Sequence, residues 1–191
     1  MTTWWWVRHG PTHERAFTGW RDVPADLSDT ARVARLRAHL PHGATLVASD
    51  LQRAARTADA IAGSGLRLPD APALREFNFG DWDGLTFDEV NRRDPQLSRQ
   101  FWETPGDVRP PNGESWNELA ERVGAFVDAT SAQLRTRDII AVAHIGVIMT
   151  QLERALGSAS AAMAHPIEPL SVTCLRQEGS NWQLVSANLQ P

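Results

Sequence analysis

Apolar residues fall in short blocks, separated by stretches whose period changes from two towards four. Thr2 to Val7 is an unbroken strand-like run that stops at Arg8-His9-Gly10-Pro11-Thr12. Ala44 to Ala48 is a second apolar run, closed by Ser49-Asp50, and Asp138 to His144 is a third and the clearest buried strand. Runs this continuous suit strands covered on both faces. Helical patterns lie between them. Ser28 is placed to cap a helix running to about Leu40, with Val33, Leu36 and Leu40 on one face, and an Ala-rich helix follows Asp50 to about Ala62. Ser115 and Glu118 have capping-box spacing ahead of an apolar stripe of Leu119, Val123, Phe126, Val127 and Leu134. A helix from about Val147 to Leu156 follows the third strand. Leu170 to Leu175 and Trp182 to Ala187 read as two closing strands joined through Glu178 to Asn181.

The strand-helix alternation predicts an α/β fold built on parallel units. Phe17 to Leu27, with Gly19, Asp22, Pro24 and Asp26 as breakers, reads as a loop, and so do Glu76 to Gly84 and the Pro-rich Pro105 to Gly113. Short helices are expected at 86–93 and 95–103. With no repeat, linker or low-complexity tract, residues 1–191 read as one domain with room for a sizeable core.

Composition narrows the chemistry. The net charge of -4 gives no basic field for nucleic acid or an anionic membrane surface. All 19 basic residues are arginine and tyrosine is absent, which excludes a P-loop lysine, a Schiff-base lysine and a catalytic tyrosine. The single cysteine, Cys174, lies in an apolar, β-branched stretch and reads as a packing residue. Without a signal-peptide pattern or an apolar run near the roughly 20 residues of a membrane span, the expected location is cytoplasmic.

Three strand-like runs end in polar groups: Val7 in Arg8-His9, Ala48 in Ser49-Asp50 with Arg53 one turn on, and Ala143 in His144. If those strands are parallel neighbours, one crevice receives two histidines and two arginines. Two guanidinium groups match a phosphoryl group and compensate its developing charge. His9, kept neutral by neighbouring cations, is then placed to attack phosphorus, with a backbone carbonyl as the natural partner of its other ring nitrogen. His144 would donate to a phosphate oxygen. A departing alkoxide needs a proton, and Glu76 is the candidate donor.

Arg8-His9-Gly10-x-Thr12, Ser49-Asp50-Leu51-Gln52-Arg53-Ala54-x-x-Thr57-Ala58, Leu74-x-Glu76-x-x-x-Gly80-x-Trp82-x-Gly84, Pro111-x-Gly113-Glu114-Ser115 and His144-x-Gly146-Val147-Ile148 occur in this order. The set resembles the histidine phosphatase superfamily, also called phosphoglycerate mutase-like, over positions 4 to about 175. The resemblance implies a three-layer α/β/α sandwich with a mostly parallel central sheet and a small helical lid at about 77–113. It implies His9 as the phosphohistidine-forming nucleophile, Arg8, Arg53 and His144 as the phosphate pocket, and Glu76 as the proton donor. Gly10, Thr12, Arg15, Thr18, Gly19 and Ile145 then fall at substrate-contacting positions. Ile145 stands where glycine is usual and narrows or reshapes the mouth. Arg15 stands where asparagine is common, as a third basic group or as a solvated surface arginine.

The expected partner is a small phosphorylated substrate, with no nucleic acid, no membrane and no cofactor, and the sequence carries no signal for oligomeric state. No metal is implied: His9 and His13 have helical ligand spacing, but Gly10-Pro11 between them breaks a helix, and His39, His42 and His165 read as bystanders. Of the eight tryptophans, Trp4, Trp5 and Trp6 read as strand core, whereas Trp20, Trp82, Trp102 and Trp116 lie in or beside the loop and lid segments. Phe17-Thr18-Gly19-Trp20-x-Asp22 resembles the mutase loop that contacts a substrate carboxylate. Against that, Phe77 and Phe79 follow the acid where mutases carry basic and tyrosyl residues, so a phosphomonoester phosphatase is favoured over a cofactor-dependent phosphoglycerate mutase. A catalytically silent phosphoprotein-binding module ranks last, because every catalytic position is retained.

Overall fold

The computed structural model describes residues 1–134 and 137–191. Among them, β1 (Thr2–Arg8), β2 (Thr45–Ala48), β3 (Asp138–Ala143), β4 (Val172–Glu178) and β5 (Asn181–Leu189) form one sheet in the order β2-β3-β1-β4-β5. The first three are parallel neighbours, and β4 and β5 add antiparallel on the far side. The sheet is therefore half parallel and half antiparallel rather than mostly parallel. A tight turn at Gly179, at φ 61°, returns β4 into β5 without the crossover a parallel pair would need.

Side chains alternate between two cores, one on each face of the sheet. Trp4, Trp6, Ile139, Ala141 and Ala143 face α5 (Trp116–Leu134) and α6 (Ile145–Leu156), meeting Leu119, Val123, Val127, Ile148 and Leu152. Val7, Leu46, Ala48, Ile140 and Val142 face α1 (Thr30–His39) and α2 (Gln52–Ile61), meeting Val33, Leu36, Ala54, Ala58 and Ile61. The result is the expected three-layer sandwich. Trp4 and Trp6, fully buried, stack with ring centroids 5.3 Å apart, and Trp5, on the other face, is half-buried and donates to Asp138.

Helix ends follow local chemistry, with two corrections. Asp29, not Ser28, caps α1: its carboxylate accepts from the Arg32 amide, and the Ser28 amide turns back to Asp26. Likewise α6 starts at Ile145, two residues before Val147, because His144 is extended and serves as its N-cap residue. The Ser115/Glu118 capping box forms as expected, and α3 (Phe87–Arg93) carries a second one, Thr86/Glu89. Next comes α4 (Pro95–Glu103), with its proline at the first position. A five-residue helix, α7 (Ala159–Met163), has no counterpart in the apolar pattern. From α3 and α4, Val90 and Phe101 join Phe77, Phe79 and Trp82 in the same core as Trp4 and Trp6. No helix among the described residues is long and apolar enough to cross a membrane.

Candidate active site

Because β2, β3 and β1 are parallel and adjacent, their carboxyl ends open on one edge, and the four basic groups expected there meet. The His9 amide donates to the Ala143 carbonyl and the Ser49 amide to Val142, so the backbone leaves each strand in register with its neighbour. Gly10 follows with its amide on the Thr57 hydroxyl, which itself donates to the Arg53 carbonyl one turn back in α2. A side chain at Gly10 would put its Cβ 2.7 Å from Leu27. A larger residue there would have to push the Leu27 side chain aside.

His9 lies in contact with its own following carbonyl. Nδ1 is 2.7 Å from the Gly10 oxygen and must carry the hydrogen, which leaves the Nε2 lone pair for chemistry. Burial, with the Arg53 and Arg8 charges against protonation, pushes the imidazole down to about 3. His144 sits beside it, ring centroids 5.1 Å apart. Its Nδ1 accepts from Arg53 Nε at 3.2 Å, so Nε2 bears the hydrogen, and that buried N–H has no protein partner. Burial, followed by the Arg53 charge, holds His144 well below its ordinary value as well.

The two arginines differ in what they have free. Arg53, 1% exposed, donates to His144, to the Gly19 carbonyl at 2.7 Å, to Thr18 at 3.3 Å and to Arg21 at 2.9 Å. Arg8 is held by one short bond to the Ile167 carbonyl, and its buried Nε is without a partner. Arg8 is thus the freer fork for an incoming oxyanion, whereas Arg53 mainly supplies charge and scaffolding.

Glu76 is buried, and its carboxylate accepts from the amides of Phe77 and of Gly146 in the first turn of α6. Burial raises its pKa more than those amides and the Arg53 and Arg8 charges lower it. Such a carboxyl can hold a proton and give it up. Its backbone carbonyl accepts from Trp20 Nε1 at 2.9 Å, and the Arg75 guanidinium lies over that indole while pairing with Asp50 through both carboxylate oxygens.

The remaining expected contacts divide. Thr18 and Gly19 line the site through their carbonyls on Arg53, and Gly19 packs so closely that a Cβ would lie 2.4 Å from the Phe77 oxygen. Ile145 is half-buried at the head of α6. Thr12 is half-buried and its hydroxyl turns to the Glu14 amide, while Arg15 is exposed. Arg21 is occupied by Asp83 and Glu14. His13, also exposed, pairs with Asp26. Trp82 and Trp116 are buried and donate to Asp94 and Glu153, which leaves Trp20 and Trp102 as the tryptophans with open surface in this region. Cys174 is buried and its thiol raised to about 11, consistent with packing. Thr57, on Gly10, stood in the sequence motif without a role, and two participants were not singled out from the sequence: the Ile167 carbonyl on Arg8, and Arg122, which binds the backbone around Glu76. Their partners lie 46 to 159 positions away, so no local pattern marks them.

A profile described as histidine phosphatase superfamily (branch 1) matches residues 4–190. A bifunctional protein of Mycobacterium tuberculosis is 34% identical over 82% of this chain, which spans about 45% of that protein's length. A 2,3-bisphosphoglycerate-dependent phosphoglycerate mutase of Bartonella henselae is 32% identical over 72% of this chain and 73% of its own. The adenosylcobalamin/alpha-ribazole phosphatase of Escherichia coli is 27% identical over 84% and 82%. Among solved structures, YhfR of Bacillus stearothermophilus superposes with a TM-score of 0.87 at 25% identity, covering 99% of this chain and 98% of that one.

The contact between α6 and Glu76 generates a stability prediction. A Cβ at Gly146 would stand 2.4 Å from Glu76 Oε1 and 2.5 Å from the Phe77 ring. Ala is the better helix former by about 1 kcal/mol, yet Gly146→Ala should lower unfolding free energy in urea by about 1–3 kcal/mol through overpacking. Unchanged or higher stability would mean that Glu76 and Phe77 yield freely.

Proposed function

The chain belongs to branch 1 of the histidine phosphatase superfamily, and from that membership we propose that it hydrolyses a small phosphomonoester through a phosphohistidine on His9. The observation that carries the reading is the His9 ring, with Nδ1–H fixed on the Gly10 carbonyl, Nε2 free, and His144, the buried Arg53 and the half-buried Arg8 around it. In the first step Nε2 forms a bond to phosphorus as the P–O bond to the alcohol breaks, and Glu76 gives the leaving oxygen its proton. In the second, the Glu76 carboxylate takes a proton from water, whose oxygen replaces Nε2 on phosphorus and releases inorganic phosphate. Arg8 and His144 Nε2–H hold the nonbridging oxygens throughout, with Arg53 adding charge. The arginines and His144 thereby do the work a divalent metal would do.

Rapid quenching during turnover should trap an acid-labile, base-stable phosphate on the protein, absent in His9→Ala along with activity, and activity should persist in chelator. Full turnover by His9→Ala would sink the proposal, and loss in chelator restored by a metal would overturn its metal-independent part.

Glu76 acts first as an acid, so kcat/KM for an alkyl phosphate should fall as pH rises through the raised Glu76 pKa. His9, at about 3, stays neutral and imposes no loss on the acid side between about pH 5 and 8. Glu76→Gln should remove that alkaline limb and cost an alkyl phosphate about a hundredfold or more, against far less for an aryl phosphate whose leaving group needs no proton. Equal losses on the two esters would make Glu76 a purely structural residue.

A mutase reading has one observation in its favour, the Phe17-Thr18-Gly19-Trp20-x-Asp22 loop beside Arg53. Holding a bisphosphorylated acid through reorientation demands spare cations, and Arg21 is already paired with Asp83 and Glu14. With 3-phosphoglycerate and catalytic 2,3-bisphosphoglycerate, phosphate release should therefore dominate. Formation of 2-phosphoglycerate outpacing phosphate release about tenfold, a preference of roughly 1.4 kcal/mol, would favour the mutase.

A further inference from the structure

Residues 75–79, which carry Glu76, belong to no strand or helix, so their backbone groups need partners outside any regular ladder. Arg122, in the second turn of α5, engages three carbonyls at and just before Glu76. Its Nη1 donates to the carbonyls of Ala73 at 2.9 Å and Arg75 at 3.0 Å, and its Nη2 to that of Glu76 at 3.4 Å. The two remaining bonds go to Glu114, from Nη2 at 2.5 Å and Nε at 3.3 Å. Glu114 in turn accepts from the Asn78 amide at 2.9 Å, and its own amide donates to the Asn78 carbonyl. All five guanidinium N–H groups therefore serve one segment and its brace, and none is left for a substrate. The arginine and its glutamate bracket Glu76 from both sides, at 73–76 and at 78.

We propose that Arg122, braced by Glu114, is a positioning residue that fixes where the Glu76 carboxyl stands relative to the leaving oxygen. This rests on reading Glu76 as the proton donor. Among the described residues the Glu76 carboxylate takes its fixed bonds only from the Phe77 and Gly146 amides, so its place depends on how the backbone from Ala73 to Asn78 is registered against α6. Proton transfer tolerates little displacement, because donor and acceptor must come within hydrogen-bond reach. Trp20 helps at the Glu76 carbonyl and under the Arg75 guanidinium, but it is exposed and bonds one backbone group of the segment. The Arg122 charge also helps keep His144 neutral, so charge and fork geometry have to be separated by experiment.

The test compares kcat/KM for benzyl phosphate, whose alkoxide needs a proton, with that for 4-nitrophenyl phosphate, whose phenolate does not. Arg122→Met should lose about a hundredfold on the benzyl ester and about threefold or less on the nitrophenyl ester, the size expected of misplacing a general acid. Arg122→Lys keeps the charge without the fork and should still lose about tenfold on the benzyl ester. Added to Glu76→Gln, Arg122→Met should cost less than about threefold more, since two residues that act as one unit are not additive. If Arg122→Met does not fold, Glu114→Gln, which loosens the brace, should show the same split at about fivefold. Equal losses on both esters, or full activity in Arg122→Lys, would overturn the proposal. A selective loss in Glu76→Gln with no selectivity in Arg122→Met removes the positioning role alone. Absence of selectivity in Glu76→Gln itself removes the proton-donor reading, and the positioning role with it.

Discussion

The bond from Arg53 Nε to His144 Nδ1 is the interaction on which the rest of the site depends. It joins the first turn of α2, just past the end of β2, to the residue that ends β3, and so locks two of the three strand ends together. Burying a guanidinium is costly unless its donors are met. At 1% exposure Arg53 meets that condition by drawing the carbonyls of Thr18, Gly19 and Arg21 down onto it. The loop that covers the site is thus folded by the same charge that polarises it. Its opposite side is held by Asp83, whose carboxylate accepts the amides of Gly19, Trp20 and Arg21 in succession.

That arrangement sets the protonation states. Burial of the two imidazoles, beside arginines that make a third or fourth positive charge expensive, keeps His9 and His144 neutral. One histidine thereby retains a lone pair and the other a free N–H. Glu76 experiences the opposite pull: the arginines favour its carboxylate, but burial outweighs them and favours the acid. A dianionic phosphate entering such a site meets two guanidinium charges and a carboxyl that burial keeps from repelling it. In the proposed mechanism, nucleophile, hydrogen-bond donor and proton donor are all produced by removing water from three ionisable groups beside two that cannot lose their charge.

The parts of this design that were legible in the sequence are those governed by local rules. Apolar runs ending in Arg8-His9, Ser49-Asp50 and His144 located the strand ends, because side-chain chemistry at a strand terminus is contiguous in sequence. The Ser115/Glu118 box was readable for the same reason, being closed within one turn. The N-terminus of α1 shows the limit of such rules, since Ser28 and Asp29 are both good caps and the choice was settled by Asp26 engaging the Ser28 amide. Pairing direction was only partly local: the short connection through Glu178 to Asn181 makes β4 and β5 antiparallel, but nothing near β4 marks that it runs antiparallel to β1. Arg122 was invisible because, among 19 arginines, nothing distinguishes one whose partners lie 46 to 49 residues away.

The loop from Phe17 to Asp22 carries the sequence that resembles a mutase and, in this fold, has little left with which to act as one. Its carbonyls are engaged by Arg53 and its amides by Asp83. The Arg21 side chain is paired twice over, and the Thr18 hydroxyl donates to the Ala16 carbonyl while accepting from Arg21. What remains toward solvent is the apolar bulk of Trp20 and the Asp22 carboxylate, which accepts the Gln52 amide, with the aromatic surface of Phe17 stacked on Trp102 nearby. Such a surface can pack against a leaving group but gives a small dianionic acid nothing to bind after its phosphate has moved to His9. Retention of the intermediate is what separates transfer from hydrolysis on a shared phosphohistidine. In the proposed reaction, a loop whose polar groups are committed to its own scaffold favours water as the acceptor at phosphorus.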